Sequence, residues 1–550
     1  MESFEKNGIW FLPGSPDRQI TGTLVFSPDQ GPRLNLVGEL RELDLQEKLE
    51  SDIKYPIVHG YLIDDSGSFE EVTLCNSYLK NEFKTGYPTS ELYPEFILKG
   101  YHFSSFLNEI EFQHIIVQYD YLEKWVNLPN IEIGCIPHHN QADTYQGIIL
   151  NQKVNEPIEI GKINDCSITI IDIPFLNPQY VQSINLFATL GRQWDRSEIC
   201  IKEQKKILIK PDSPKNLKFF LDIVDLIQEF LTFGCGQIIL PFKIETTIIA
   251  NNQEFETQLF NGESRVIQTE RQRAFPINIF YKVTSPLINK VSFNASLILF
   301  KFTDIRESSA TVLNNWQNIR EKISSIIEIY LGLYYIPVRY KNDLFLDLAQ
   351  AIEGFHRIYC EGNYCDNDTF KKIEEKLKET FYSELKKYDI DEAYYDSLLS
   401  KTEYWNEYSL KERLEDFLDD GSILWKIYFL KLTLESMSCS LLRYASLLRY
   451  AYFHLIYYSE NNFSSCLPDN FFISNNDKEN FIKQVRETRG FLTHPSSDSK
   501  SKKKSKHIVS GKELENLIRK LKIILDICLL KSLGLDSSKI KALTRSRHLL

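Results

Sequence analysis

The sequence predicts an α+β protein, with a mainly-β N-terminal region (residues 1–305) followed by an α-helical C-terminal region (residues 306–550). Two observations predict this division. Turn residues interrupt the first region at intervals of roughly ten residues, and the runs between them are rich in Ile, Val, Thr, Phe and Tyr. From about Ser308, long segments without Gly or Pro carry apolar residues at three- and four-residue intervals. The length of 550 residues also exceeds a single domain of about 150 residues.

Strand signatures recur along the N-terminal region, separated by turn pairs such as Pro13-Gly14 and Asn261-Gly262. Four of the runs are Ile20–Phe26, Ile57–Ile63, Ile110–Tyr119 and Ser167–Ile173. Residues Asn216–Phe233 are different, because their apolar positions follow near-helical spacing. We therefore expect one helix among the strands.

The C-terminal region begins with an apolar stripe at helical spacing. The stripe consists of Val312, Trp316, Ile319, Ile323, Ile326, Ile327 and Tyr330. Further helices are predicted at Asn342–Tyr359, Asp368–Tyr388, Ile423–Ser438, Ser440–Tyr458, Asp477–Thr493 and Ser510–Leu533. Between the last two, Pro495–His507 is a low-complexity stretch with five lysines and one aspartate, which predicts a basic loop.

Composition limits the classes of function. Hydrophobic residues make up 43% of the chain and the net charge is -11, so we expect a soluble globular protein whose contacts with nucleic acid are local. The ten cysteines include no CxxC pair, and the N-terminus has no signal-peptide pattern, as expected for a cytoplasmic protein with reduced cysteines. The most apolar stretch, Ser440–Tyr458, contains Arg443, Arg449 and His454, which predicts a buried helix and no membrane span.

Two RxxxxH pairs occur in the chain, Arg449 with His454 and Arg489 with His494. The first lies within the uninterrupted Tyr- and Leu-rich helix, where packed polar residues are the ordinary interpretation. At the second, Gly490 weakens the helix and the following proline moves His494 away from α geometry, so the imidazole lies at a helix C-terminus beside the lysines. This position favours a protonated, phosphate-attracting histidine.

The residue types at Arg489 and His494 suit metal-independent RNA cleavage. Histidine titrates near neutral pH and can move a proton, while arginine offers a fixed two-pronged donor to phosphate. Five residues of a regular helix turn by about 500° and rise about 7.5 Å, so the two side chains would not point the same way. A complete site therefore needs an unwound helix end or a second copy of the motif across a two-fold axis.

The segment from Val485 to Pro495, VRETRGFLTHP, resembles the signature of HEPN ribonucleases. The runs Gly8–Pro13, Ile20–Phe26 and Leu34–Gly38 resemble the N-terminal domain of ApeA-type anti-phage proteins, in which a β-rich domain precedes a C-terminal HEPN domain. The resemblance implies an ApeA-like sensing or regulatory region, a HEPN helical bundle, and abortive infection as the function. The family usually has a polar residue, commonly Asn, where this chain has Gly490.

The resemblance also implies the residues and partners of the site. Arg489 and His494 would be the catalytic pair, completed by the same pair of a second subunit, so a homodimer or higher homo-oligomer is expected. The substrate would be RNA, with tRNA as one candidate, and the product would carry a 2′,3′-cyclic phosphate. Glu353 is a candidate supporting residue, with a solvated or salt-bridged role as the ordinary alternative. The predicted substrate-binding residues are Arg486, Lys500, Lys502, Lys503, Lys504 and Lys506. A phage-derived activator is the candidate ligand of the N-terminal region.

No cofactor is predicted, because the chain has no P-loop, GxGxxG or HExxH motif. His356, Cys360 and Cys365 could supply three zinc ligands, but no fourth is evident nearby, and His138-His139 is a weaker lead, so the predicted metal set is empty. Two rival functions stay open. One is a non-cleaving HEPN scaffold whose β region binds a phage or host ligand, and the other is a carbohydrate- or peptide-binding β domain with an accessory helical domain.

Overall fold

The computed structural model describes most of the chain, and the account below is confined to that part. The described residues are 1–42, 53–63, 67–80, 89–128, 131–137, 145–152, 155–172, 204–260, 263–283, 293–335, 339–360, 362–385, 387, 405–418, 463–493 and 507–549. They form two compact units, an N-terminal unit of Met1–Gln317 and a C-terminal unit of Asn318–Leu550. The functional boundary at 305/306 stays a prediction.

The N-terminal unit is built on antiparallel strands, as predicted. The strands are β1 (Phe4–Leu12), β2 (Ser15–Ser27), β3 (Gly31–Val37), β4 (Lys54–Ile63), β5 (Phe69–Lys80), β6 (Thr89–Tyr93), β7 (Phe96–Lys99), β8 (Glu111–Phe112), β9 (Ile115–Tyr119), β10 (Ile131–Pro137), β11 (Tyr145–Gln152), β12 (Ile158–Ile163), β13 (Cys166–Asp172), β14 (Lys205–Pro211), β15 (Lys215–Asn216), β16 (Pro241–Phe260) and β17 (Glu263–Tyr281). The predicted strand over Ile110–Tyr119 is two strands, β8 and β9.

Thirteen of these strands form one sheet in the order β12-β13-β14-β9-β16-β17-β7-β5-β4-β1-β2-β3-β6. Strand β6 also pairs with β5, so strands β1 to β6 close into a ring. The buried side chains of these strands form one core, with Trp10 completely buried. Gly60 makes room for this indole, because a Cβ at that position would lie 2.3 Å from Trp10 Cε3.

The helices of the N-terminal unit are α1 (Leu122–Val126), α2 (Leu217–Cys235), α3 (Phe302–Ile305) and the start of α4 (Ser309–Lys322). Helix α2 is the predicted helix among the strands. Asn216 caps it, because its side-chain oxygen accepts a hydrogen bond from the backbone N–H of Phe219 at 3.0 Å. Gly236 ends it in the left-handed conformation.

The C-terminal unit is helical in its described residues. Its helices are the end of α4, then α5 (Ser324–Tyr335), α6 (Lys341–Tyr359), α7 (Asn367–Leu385), α8 (Leu410–Leu418), α9 (Asn475–Thr493), α10 (Lys512–Ser532) and α11 (Ser537–Leu549). Every residue of the predicted apolar stripe is buried, although the helix breaks at Ile323, between α4 and α5. The predicted helices at Ile423–Ser438 and Ser440–Tyr458 lie outside the described residues.

Candidate active site

The predicted site residues lie on three helices of the C-terminal unit. Helix α9 carries Arg486 and Arg489, helix α6 carries Glu353, and helix α8 supplies residues that the sequence did not reveal. Helix α9 packs through buried Phe481, Ile482 and Val485. Arg489 therefore belongs to a helix that is anchored by an apolar face.

Arg489 is held by Glu353, a residue 136 positions earlier in the chain. The guanidinium Nη2 donates to the carboxylate Oε2 at 2.7 Å. The arginine side chain is 41% exposed, whereas the glutamate side chain is 16% exposed. The carboxylate therefore fixes one nitrogen of a guanidinium that solvent can reach.

The helix around Arg489 is regular up to Thr493. Gly490 does not end it, and no atom lies within 4 Å of the position that a Cβ there would take. Thr488, next to Arg489, is buried and accepts a hydrogen bond from the backbone N–H of Val509 at 3.2 Å. The neighbouring Arg486 is half-exposed and pairs with Glu487 at 3.1 Å. The helix thus presents two arginines to solvent, one of them fixed by Glu353.

Burial raises the pKa of Glu353 above the ordinary glutamate value of 4.5. The positive charges of Arg489, Arg413 and Arg357 oppose this shift, in that order, and the negative charge of Glu407 adds to it. Glu353 is therefore a mostly buried carboxylate among three guanidinium groups, and its proton is bound more tightly than that of an exposed glutamate.

Arg413 is the buried centre of this charged group, with a side chain that is 1% exposed. Its Nε donates to the backbone oxygen of Tyr408 at 2.9 Å, and its Nη2 donates to Glu407 Oε2 at 3.1 Å. Its Nη1 lies 3.2 Å from His356 Nδ1. Arg357, half-exposed, donates to the same Glu407 oxygen at 2.8 Å. Helix α8 is thereby tied to helix α6 through charged hydrogen bonds.

Two family models match the chain. The model described as ApeA N-terminal domain 1 matches residues 5–316, which is more than half of the chain, and the model described as Apea-like HEPN matches residues 346–539. The chain belongs to the ApeA family. At the family level it is an anti-phage nuclease of the HEPN type, and helices α6, α8 and α9 fall within the HEPN match. No curated protein and no solved structure matches the chain.

Several predicted residues of this ApeA-family chain lie outside the described residues. They are His494, Lys500, Lys502, Lys503, Lys504, Lys506 and the pairs Arg449/His454 and His138/His139. The structure therefore brings together Arg489 and Glu353, and it does not place His494. The catalytic and substrate-binding roles of all these residues stay predictions.

The predicted zinc candidates are rearranged in the structure. Cys365 is not grouped with His356 and Cys360, because its backbone N–H and its thiol contact Asn406 Oδ1. Asp416 takes its place, and one ligand atom each of His356, Cys360 and Asp416 lies within 4.8 Å of the others. This is the one such cluster that the described part of the chain contains.

The hydrogen bonds of His356 oppose a metal at this cluster. A guanidinium only donates, so Nδ1 accepts from Arg413 and the ring proton resides on Nε2, which donates to Asp416 Oδ2 at 2.9 Å. Neither nitrogen then offers a lone pair to a metal. Burial raises the pKa of Cys360 to about 12, which keeps the thiol protonated. The geometry fits a buried proton-bearing network.

The sequence analysis missed Arg413, Asp416 and Glu407. One local signal was available, because Arg413 lies on the apolar face of α8, together with the buried residues Leu410, Leu414 and Phe417. A charged residue at a core position of an amphipathic helix requires a buried partner. The identity of that partner could not be derived from the local pattern.

Two further expectations have outcomes in the structure. The seven cysteines that it describes are all free thiols. None of the helices in the described ranges is long and apolar enough to cross a membrane.

Proposed function

We propose that the chain is a metal-independent endoribonuclease that cleaves cellular RNA, tRNA being one candidate, through Arg489 and His494 during abortive infection. The observation that carries the proposal is the Arg489–Glu353 pair. A half-exposed guanidinium, fixed at one nitrogen by a carboxylate at 2.7 Å, offers its remaining donors to a phosphate one helical turn before the end of α9. His494 is the next residue after that helix end.

In the proposed reaction, the 2′-oxygen of a ribose attacks the adjacent phosphorus and displaces the 5′-oxygen of the next nucleotide. Arg489 binds the non-bridging oxygens, on which negative charge accumulates in the transition state. His494 transfers a proton at the reacting oxygens. The products are a 2′,3′-cyclic phosphate and a 5′-hydroxyl. Each step uses a side chain, and no step uses a metal.

We infer that two copies of the chain supply the complete site. Arg489 lies on a regular helix, and five helical positions correspond to a rotation of about 500°, which separates its direction from that of His494. HEPN domains commonly dimerise, and a two-fold axis next to the end of α9 would bring the pairs of both subunits to one cleft. The oligomeric state in solution tests this part directly.

The lysine-rich segment after His494 would bind the RNA backbone. It concentrates five lysines in a chain whose net charge is -11, so RNA would be attracted near the site and repelled by the acidic remainder. The N-terminal unit, matched by the ApeA N-terminal domain model, would restrain the nuclease until a phage-derived activator binds.

The proposal is tested by sequencing the 5′ ends of cellular RNA after induction of the wild type and of His494→Ala. The wild type should arrest growth and produce new 5′-hydroxyl ends, and His494→Ala should do neither. The matched control is His454→Ala, which removes the histidine of the other RxxxxH pair and should retain both effects. New ends that persist in His494→Ala would overturn the assignment.

A non-cleaving HEPN scaffold is the second candidate function, and Gly490 favours it. The family's usual polar residue is missing there, although the structure has room for one. If the chain is such a scaffold, purified wild-type protein should leave RNA intact under all conditions. The β region would then carry the function by binding a phage or host ligand.

A further inference from the structure

RNA cleavage by 2′-oxygen attack needs two proton transfers. A base removes the proton of the 2′-hydroxyl, and an acid protonates the departing 5′-oxygen. Arginine does not titrate in proteins, so the RxxxxH motif supplies a single titratable group per copy. One further acid–base group is therefore required at the reacting atoms.

Glu353 is the carboxylate that the structure brings to the phosphate-binding arginine. Its Oε2 accepts from Arg489 Nη2 at 2.7 Å, and its side chain remains 16% exposed. In RNA the 2′-hydroxyl is adjacent to the scissile phosphate. A phosphate bound by Arg489 therefore brings its 2′-hydroxyl close to the group that holds Arg489.

We propose that Glu353 is the general base of the reaction, a role that rests on the proposed function. The carboxylate of Glu353 takes the 2′-hydroxyl proton while the 2′-oxygen forms its bond to phosphorus. The bond between phosphorus and the 5′-oxygen breaks, and the imidazolium of His494 gives its proton to that oxygen. Glu353 ends protonated and His494 ends neutral, and exchange with water restores both.

The surroundings of Glu353 suit this role. Burial raises its pKa above the ordinary value, so the carboxylate binds a proton more strongly than an exposed glutamate would. The three nearby arginines limit the shift, so the carboxylate stays ionised at neutral pH. A general base works best when its pKa lies near the working pH, and burial moves Glu353 in that direction.

The test measures single-turnover cleavage of a short RNA across pH for the wild type, Glu353→Gln and Glu487→Gln. Glutamine retains an oxygen that can accept from Arg489, but it cannot take a proton. Glu353→Gln should be slower by about 10²- to 10⁴-fold and should lose the acidic limb of the pH profile. Glu487→Gln is the matched control, a carboxylate on the same helix paired with Arg486, and should retain the rate and the limb.

A second substrate separates base from acid. When sulfur replaces the 5′-bridging oxygen, the leaving group departs without protonation, so the acid becomes dispensable. This substrate should restore cleavage by His494→Ala and should not restore cleavage by Glu353→Gln. Restoration of Glu353→Gln alone would overturn the role, since Glu353 would then be the acid.

Three other outcomes are equally decisive. If Glu353→Gln cleaves within threefold of the wild type, Glu353 is not the base. If it is slow but keeps the acidic limb, Glu353 only positions Arg489, which also overturns the proposal. If the wild type leaves both substrates intact, the proposed function itself fails, a result distinct from the other two. Circular dichroism and RNA affinity verify that the variant is folded.

Discussion

Replacing Arg413 with methionine tests whether the buried charged network stabilises the C-terminal unit. Methionine keeps an unbranched apolar chain and removes the guanidinium. Three acceptors then lose a donor: the Tyr408 backbone oxygen, Glu407 Oε2 and His356 Nδ1. Of these, His356 is completely buried and cannot exchange the lost donor for water.

The expected cost is about 3 to 5 kcal/mol, the usual range for removing one partner of a buried ion pair. Arg357 provides the matched comparison. It donates to the same Glu407 oxygen at 2.8 Å, but its side chain is 54% exposed. An exposed ion pair contributes about 0 to 1 kcal/mol. The two arginines therefore share an acceptor and differ in burial.

Hydrogen exchange of the full-length protein measures the effect locally, because the amides of α8 report the free energy of opening of that helix. Arg413→Met should lower this free energy by several kcal/mol, and Arg357→Met should lower it by at most about 1 kcal/mol. Amides of β1 serve as an internal reference and should not change. Equal effects of the two substitutions on α8 would refute the reasoning.

Three further predictions concern α9, the lysine-rich segment and His356. Gly490→Ala should raise the melting temperature, because a glycine inside a helix costs up to about 1 kcal/mol and the added Cβ meets no atom within 4 Å; a lower melting temperature would contradict this. Neutralising the five lysines should reduce the salt dependence of RNA affinity by roughly one unit or less per lost phosphate contact, and an unchanged slope would exclude the segment. Burial lowers the pKa of His356 from 6.5, so the unfolded chain protonates first as pH falls. Stability should therefore decline from about pH 7 to pH 5 more steeply in the wild type than in His356→Gln, and equal declines would refute this.

The helices were predictable because their signals are local. Asn216, the apolar spacing after it and the glycine after Cys235 define α2 without reference to any other segment. The closure of strands β1 to β6 was not predictable in this way, because the pairing of β5 with β6 depends on how both strands bend around a shared core. The break at Ile323 was also hidden, since the apolar stripe continues across it.

The site shows the same limit. Arg489 and Glu353 could be named from their sequence surroundings, but their 2.7 Å contact joins helices that are 136 residues apart. Arg413 looks like one charged residue in a charged helix until its burial is known. The zinc candidates failed for a similar reason, because the spacing of His356 and Cys360 does not reveal that Arg413 occupies the imidazole.

The central claim is that this ApeA-family chain cuts RNA with Arg489 and His494 and without a metal. The most direct measurement incubates purified wild type, Arg489→Ala and His494→Ala with RNA in excess EDTA and analyses the new ends by mass spectrometry. We expect the wild type to produce 2′,3′-cyclic phosphates and 5′-hydroxyls, and both variants to produce almost none. Cleavage that stops in EDTA, or that continues unchanged in either variant, would contradict the claim.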